Sequence, residues 1–153
     1  MITMKARYAL KALSLIAEAP RGQRTQAGDI AEREGIPRKF LELILRELRQ
    51  QGFIQSRKGR GGGWVLRQEP TRISVASVLR AIDGPLAPVP CLSQSSYERC
   101  EGCRDEHSCG VRLVLKDAHE ASLRVLEGTT LADLSSRTLT ARAAARPVLR
   151  YAI

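Results

Sequence analysis

The sequence predicts a mainly α fold with one small β-hairpin, followed by a long helix outside the compact part of the chain. Three observations predict it. Apolar residues recur at three- and four-residue spacing over several short segments of the first half, the periodicity of amphipathic helices. Two short runs rich in β-forming residues, 53–56 and 64–67, flank a basic, glycine-rich tip. A later run over 111–127 keeps near-heptad apolar spacing, longer than a domain that already has a core requires.

Along residues 4–19, Ala6, Ala9, Leu10, Leu13, Ile16 and Ala17 form one stripe, and Pro20-Arg21-Gly22 ends the helix. Thr25 is the expected N-cap of a short helix over Gln26–Glu34 with Ala27, Ile30 and Ala31 on its apolar face, stopped by Gly35. Pro37 suits a first helical position, and a helix is expected from there to about Gln50. Phe40, Leu41, Ile44, Leu45 and Leu48 share its stripe, while Arg38, Lys39, Glu42, Arg46 and Arg49 face outward. A short helix, a tight turn and a second amphipathic helix with a basic outer face make the helix-turn-helix pattern, whose second helix enters the major groove of DNA.

Phe53-Ile54-Gln55-Ser56 and Trp64-Val65-Leu66-Arg67 read as strands joined by Arg57-Lys58-Gly59-Arg60-Gly61-Gly62-Gly63. The glycines let the backbone approach a phosphate or groove floor closely, as the wing of a winged helix does. A nucleotide-phosphate loop is disfavoured because the segment joins two strands instead of feeding a helix N-terminus and lacks the Gly-Lys-Ser/Thr ending. Ser74 caps a helix over Val75–Ile82, broken by Asp83-Gly84-Pro85, and Pro85, Pro88 and Pro90 form an extended linker. The 111–127 helix carries Val111, Val114, Leu115, Ala118, Ala121, Ser122 and Val125, a stripe suited to packing on a second copy of itself. Thr130 and Asp133 mark a short helix around Leu131–Ser136, and an Ala- and Arg-rich tail follows from Thr138. The expected division is therefore a winged helix-turn-helix over 1–84, a cysteine-rich loop over 85–110, a dimerisation helix with a short terminal helix over 111–136, and a basic tail over 137–153, as a frayed helix or a disordered arm.

The formal net charge is +9, and residues 1–80 hold 16 Lys and Arg against 7 Asp and Glu, so the excess lies entirely in the first half. A polyanion, with nucleic acid foremost, is the partner such a half meets; a solvated basic face is the plain alternative. The opening residues have neither a signal peptide nor a membrane span, and a cytoplasmic protein is expected. No nucleophile–base pair, phosphate loop or paired carboxylate set suggests an enzyme.

Cys91, Cys100, Cys103 and Cys109 are the four cysteines of the chain and fall within one short segment. In a reducing compartment such a cluster points to a metal or redox site before a disulfide frame. Thiolates ligate both iron–sulfur clusters and tetrahedral zinc; the single Cys-x2-Cys pair, Cys100 and Cys103, counts modestly against structural zinc. A cluster-free thiol/disulfide switch is the further alternative. His107 could add a ligand but reads better as an exposed loop residue, and His119 as a packing residue.

Several motifs together closely resemble the Rrf-type winged-helix transcription regulators, the family that includes IscR, NsrR and RirA. They are Met4-Lys5-Ala6-Arg7-Tyr8-Ala9-Leu10, Asp29-Ile30-Ala31, Gly35-Ile36-Pro37 with Phe40-Leu41-Glu42, Leu48-Arg49 with Gly52-Phe53-Ile54, Gly59-Arg60-Gly61-Gly62-Gly63-Trp64, and Thr130-Leu131-Ala132-Asp133-Leu134. The resemblance covers roughly residues 1–136. It implies a homodimer on a palindromic double-stranded DNA operator, most simply a repressor, whose affinity follows a 2Fe-2S or 4Fe-4S cluster that reports iron, redox state or nitric oxide. By resemblance Cys91, Cys103 and Cys109 match the cluster ligands, Pro37, Lys39, Phe40 and Glu42 the recognition-helix positions, and Lys58 and Arg60 the wing cations, with Arg38, Arg46 and Arg57 beside them. The family's two other ligand sources are absent: Arg112 stands three residues after the last cysteine, and Arg7 at the acidic position of the first helix. Cys100, additional to the family's pattern, is therefore the expected fourth ligand.

Overall fold

A computed structural model describes residues 2–20, 22–59 and 61–145. The elements follow in the order α1 (Met4–Glu18), α2 (Ala27–Glu34), α3 (Arg38–Gln50), β1 (Ile54–Arg57), β2 (Gly63–Leu66), α4 (Val75–Asp83), α5 (Gly110–Gly128) and α6 (Leu131–Ala144), with single 3-10 turns at Pro70–Arg72 and Pro90–Leu92. The fold is mainly helical with a two-stranded antiparallel hairpin and long C-terminal helices. Among the described residues no helix is long and apolar enough to cross a membrane.

α1 is the central helix. Its small Ala6, Ala9 and Ala12 are completely buried and let α3, α4 and α6 approach closely, while Leu13, Leu15 and Ile16 fill the space between them. Thr3 caps α1, its hydroxyl accepting from the Ala6 N–H at 3.1 Å. The backbone N–H of Thr3 also donates to the carboxylate of Asp83, the last residue of α4, at 2.9 Å, which joins the ends of the two helices.

α2 ends at Gly35 in the left-handed conformation (φ 63°), and the turn through buried Ile36 feeds α3. Leu41, Ile44, Leu45 and Leu48 bury one side of α3 as the apolar stripe requires. Pro37 stands at the N-cap, one residue outside the helix it was expected to begin, and its carbonyl accepts from the Leu41 N–H at 2.9 Å.

β1 and β2 pair antiparallel from Ile54↔Leu66 to Arg57↔Gly63. Thr25 corrects one expectation. It does not cap α2, whose N-cap is Gln26 without a side-chain hydrogen bond. Its backbone instead exchanges two bonds with Trp64, at 3.0 and 2.9 Å, so that the segment before α2 serves as a one-residue third strand of the wing. Gly63 is needed at this crossing, because a Cβ there would lie 2.8 Å from the Thr25 carbonyl oxygen.

The C-terminal part is tied back at two places. Residues 129–131 bridge to the start of α4, with Val75 N–H donating to Thr129 O at 2.8 Å and Leu131 N–H to Ile73 O at 2.9 Å. Thr130 and Asp133 form the full capping box of α6. That helix runs through Ala144, well past Ser136 where the sequence pattern ends. It packs on α1, and Arg142 near its end pairs with Glu18 of α1, at 3.2 Å, and with Glu34 of α2. The remainder of the expected tail, 146–153, lies outside the described residues.

Candidate nucleic-acid interface and cysteine loop

The outward face of α3 and the wing stand side by side. Arg38, Lys39, Glu42 and Arg46 are exposed on α3, with Arg38 Nε 3.5 Å from Glu42 Oε1, one turn along the helix. A shallow recess of about 220 Å³ joins Glu42, Arg46 and Arg49 to Trp64 of β2 and Ala27 of α2, so recognition helix and wing base form one continuous surface. Arg57 and Lys58 are exposed on the wing, and Arg60 lies outside the described residues.

Phe40 sits differently from its neighbours. It is half-buried, its ring edge-on to Tyr8 of α1 with centroids 5.9 Å apart, so it seats the start of α3 on α1. Lys5 of α1 reaches Glu47 of α3 at 3.1 Å and fixes the other end. Three surface residues escaped the sequence reading of the site. Arg24 donates to the Gly61 carbonyl at 3.2 Å and so holds the wing tip. The sequence pattern places Trp64 in the second strand and the wing motif, but not as part of the site. Leu43, 55% exposed, is a large apolar side chain on the outward side of α3, one turn from Lys39 and Arg46. No local pattern gives the first two these roles, because both depend on the pre-α2 segment crossing the wing.

The cysteine loop lies between α4 and α5. Cys91 is buried in the Pro90–Leu92 turn, Cys100 is exposed, Cys103 and Cys109 are half-buried, and all four are free thiols. Backbone bonds fold the loop on itself: Glu98 N–H donates to Pro90 O at 3.4 Å, and Cys103 N–H to Cys100 O at 3.1 Å. These return Cys100 to the turn that carries Cys91. A hydrogen bond with Cys91, then burial, then the charges of Cys91, Cys103 and Cys109 push the Cys100 thiol above its usual range, so all four sulfurs are electrostatic neighbours. They are not closed into a ligand set. Among the described residues no three His, Cys, Asp or Glu side chains are arranged to hold a metal ion.

Cations and polar groups order the loop. The Arg99 side chain hydrogen-bonds to Cys103, which raises its pKa further, and donates to the Arg104 carbonyl at 2.9 Å. Tyr97 hydroxyl bonds Glu106, and Asp105 accepts from the His107 and Ser108 N–H groups at 3.1 and 3.0 Å. A hydrogen bond from the Ser108 side chain first, then these backbone bonds, hold the Asp105 carboxyl below its usual range. His107 is exposed. Cys109 is the N-cap of α5, its sulfur accepting from the Arg112 N–H at 3.5 Å, and the Arg112 Nε is shielded with no partner among the described residues.

Along α5 the structure separates two stripes. Arg112, Leu115, His119, Leu123 and Leu126 are half-buried and face the rest of the chain. Val111, Val114, Ala118, Ala121 and Val125, spaced three and four apart, are exposed, with the three valines 70%, 69% and 62% accessible.

Comparison with known proteins places this architecture. The Rrf2 family model, described as an iron-dependent transcriptional regulator, matches residues 2–137. An rrf2-like HTH-type transcriptional regulator of Rhodobacter capsulatus is 43% identical over 88% of this chain and 91% of its own length. The HTH-type transcriptional regulator IscR of Yersinia pseudotuberculosis is 31% identical over 87% of this chain and 77% of its own. Among solved structures, CymR of B. subtilis, described as its global cysteine regulator, superposes with a TM-score of 0.76 at 30% identity, covering 90% of this chain and 97% of that one.

Proposed function

The chain belongs to the Rrf2 family of DNA-binding transcription regulators, and from that premise we propose that it is a homodimer whose operator affinity is set by an iron–sulfur cluster held on Cys91, Cys100, Cys103 and Cys109. The observation that carries the cluster reading is the gathering of all four thiols of the chain in one loop. The donor set fits: four soft thiolates suit either a two-iron or a four-iron cluster. The Nε of Arg112, the residue whose backbone N–H reaches Cys109 Sγ, is a shielded donor with no partner among the described residues. When bound, the cluster supplies an oxidisable, labile centre that draws the loop closed.

In this reading 1–84 engages DNA, 85–110 senses, and 111–136 dimerises, with the described part of 137–153 continuing α6. The exposed heptad stripe of α5 supports the dimer, since five small or branched apolar positions on one face match the seam of a helix pair. Arg38, Lys39, Glu42 and Arg46 meet base edges and phosphates in the major groove, where Glu42 accepts from a cytosine amino group. Phe40 acts by seating α3. Arg57, Lys58 and Arg60 meet the flanking backbone. Contacts connect the two sites in the chain itself: the loop follows α4, Asp83 at the end of α4 holds Thr3 of α1, and Lys5 of α1 holds Glu47 of α3.

Iron and acid-labile sulfide analysis of anaerobically purified protein tests the sensor. Equal iron and sulfide with visible charge-transfer bands, and an operator affinity that changes when the cluster is removed, are expected. Stoichiometric zinc instead would make the loop an architectural site. The gathering of four free thiols in one loop favours one second reading, a thiol/disulfide switch, which metal-free protein with a reversible disulfide among these cysteines would establish.

Lys58→Ala tests the wing. Binding is expected to weaken on all sequences alike, with the slope of log affinity against log salt falling by about one per subunit, because one phosphate contact is lost. Titrations at several salt concentrations measure it. A loss confined to a single base position would assign Lys58 to base reading instead.

A further inference from the structure

Arg112 begins the inward face of α5, the face that packs on α4 and on the turn carrying Cys91. Its backbone already serves the loop, donating to Cys109 Sγ. In its half-buried side chain, Nε is shielded from solvent and bonds nothing among the described residues. Arginine cannot relieve this by losing a proton, since it stays charged at any physiological pH. A shielded donor left unpaired in a native fold calls for an explanation, and an acceptor that the chain alone does not carry is one. The groups around the loop indicate what that acceptor is. Four thiolates outweigh the positive charge of an oxidised two-iron or four-iron core, so a loaded site carries net negative charge. Arg99 already meets one of these sulfurs, Cys103, but shares its charge with Glu106 at 3.8 Å.

We propose that Arg112 is a positioning residue of the sensor, its guanidinium supplying the shielded Nε–H as a donor and a compensating positive charge to the sulfur atoms of the bound cluster. The inference rests on the cluster reading above. Hydrogen bonds and positive charge at the sulfurs favour the reduced, more negative state and raise the reduction potential. Arg112 thereby sets how readily the cluster accepts an electron and how long it persists.

The test compares anaerobically reconstituted wild type with Arg112→Gln, Arg112→Leu and Arg112→Lys, two neutral variants and one that keeps the charge. The readouts are the midpoint potential by mediated titration and the half-life of the visible spectrum under a chelator, with circular dichroism of each apo-protein as the folding control. Both neutral variants are expected to shift the midpoint negative and lose cluster on the order of tenfold faster, with lysine recovering most of the potential. Having a leucine variant that packs on the inner face keeps the test open should glutamine disturb α5. Neutral variants matching wild type in both readouts would overturn the proposal, as would a lysine variant shifted as far as the neutral ones. A wild-type chain that takes up no iron and sulfide overturns the cluster reading and this inference with it.

Discussion

Replacing Val114 with glutamate is expected to convert the protein to a monomer and to reduce operator affinity on the order of a thousandfold. Val114 sits at the centre of the exposed stripe of α5, 69% accessible in the single chain. The substitution therefore removes no contact within the protomer, and its helical circular dichroism and melting temperature as a monomer should change little. In a two-fold helix pair the same residue meets its own copy or a close neighbour, so two carboxylates enter an apolar seam together. Loss of two buried valine contacts, each worth about 1.5–3 kcal/mol, adds to the cost of desolvating the new charges and readily exceeds about 4 kcal/mol, a factor of about a thousand. Operator binding follows, because a lone winged helix reaches one half-site and loses the effective concentration that links the two. Sedimentation with electrophoretic mobility shift on the same samples measures both effects. A Val114→Glu protein that remains dimeric would move the interface off this face of α5.

Cys100→Ala is expected to lower iron and sulfide content by more than about tenfold and to erase the charge-transfer bands, the size of effect that losing a ligand produces when outer-shell changes alone cost 10–100-fold. Cys100 is the informative position because it is exposed. Its removal opens no cavity, whereas Cys91 is buried in the Pro90–Leu92 turn and a change there would disturb packing as well. Cys91, most strongly, and the other two sulfurs push the Cys100 thiol up, as neighbours of like charge do. Iron and sulfide assays on protein reconstituted under identical conditions provide the comparison. Full occupancy with an unchanged spectrum would show that the fourth ligand lies elsewhere and that Cys100 is a bystander.

Most of the architecture was legible because it is encoded locally. A helix face, a wing tip or a cap depends on residues within one or two turns of each other. Hence the stripe of α3, the glycines between β1 and β2, the Ser74 cap and the Thr130–Asp133 box all reach the structure as the patterns foretold. The clustering of cysteines was equally plain, since it is a matter of spacing along the chain.

What tertiary structure alone decided concerns choices between local options of similar energy. Thr25 can cap a helix or extend a wing, and the proximity of Trp64 settles it in favour of two backbone bonds. α6 has a weak amphipathic pattern, so the sequence leaves a frayed helix and a disordered arm both open over 137–145. Its path against α1 and the Arg142 pairs with Glu18 and Glu34, more than a hundred residues away, extend it to Ala144. Along α5, Leu115 and Val114 are indistinguishable by hydrophobicity and adjacent in sequence. Only the position of α4 turns the leucine inward and leaves the valine in water. By itself, then, the sequence determined the family, the helix-turn-helix with its wing, and the presence of a thiol loop, because short-range periodicity and spacing carry that information. Which faces meet, and which donors such as Arg112 are left without a partner, depends on contacts between residues far apart in the chain, where burial and geometry decide among local conformations that the sequence leaves nearly equal.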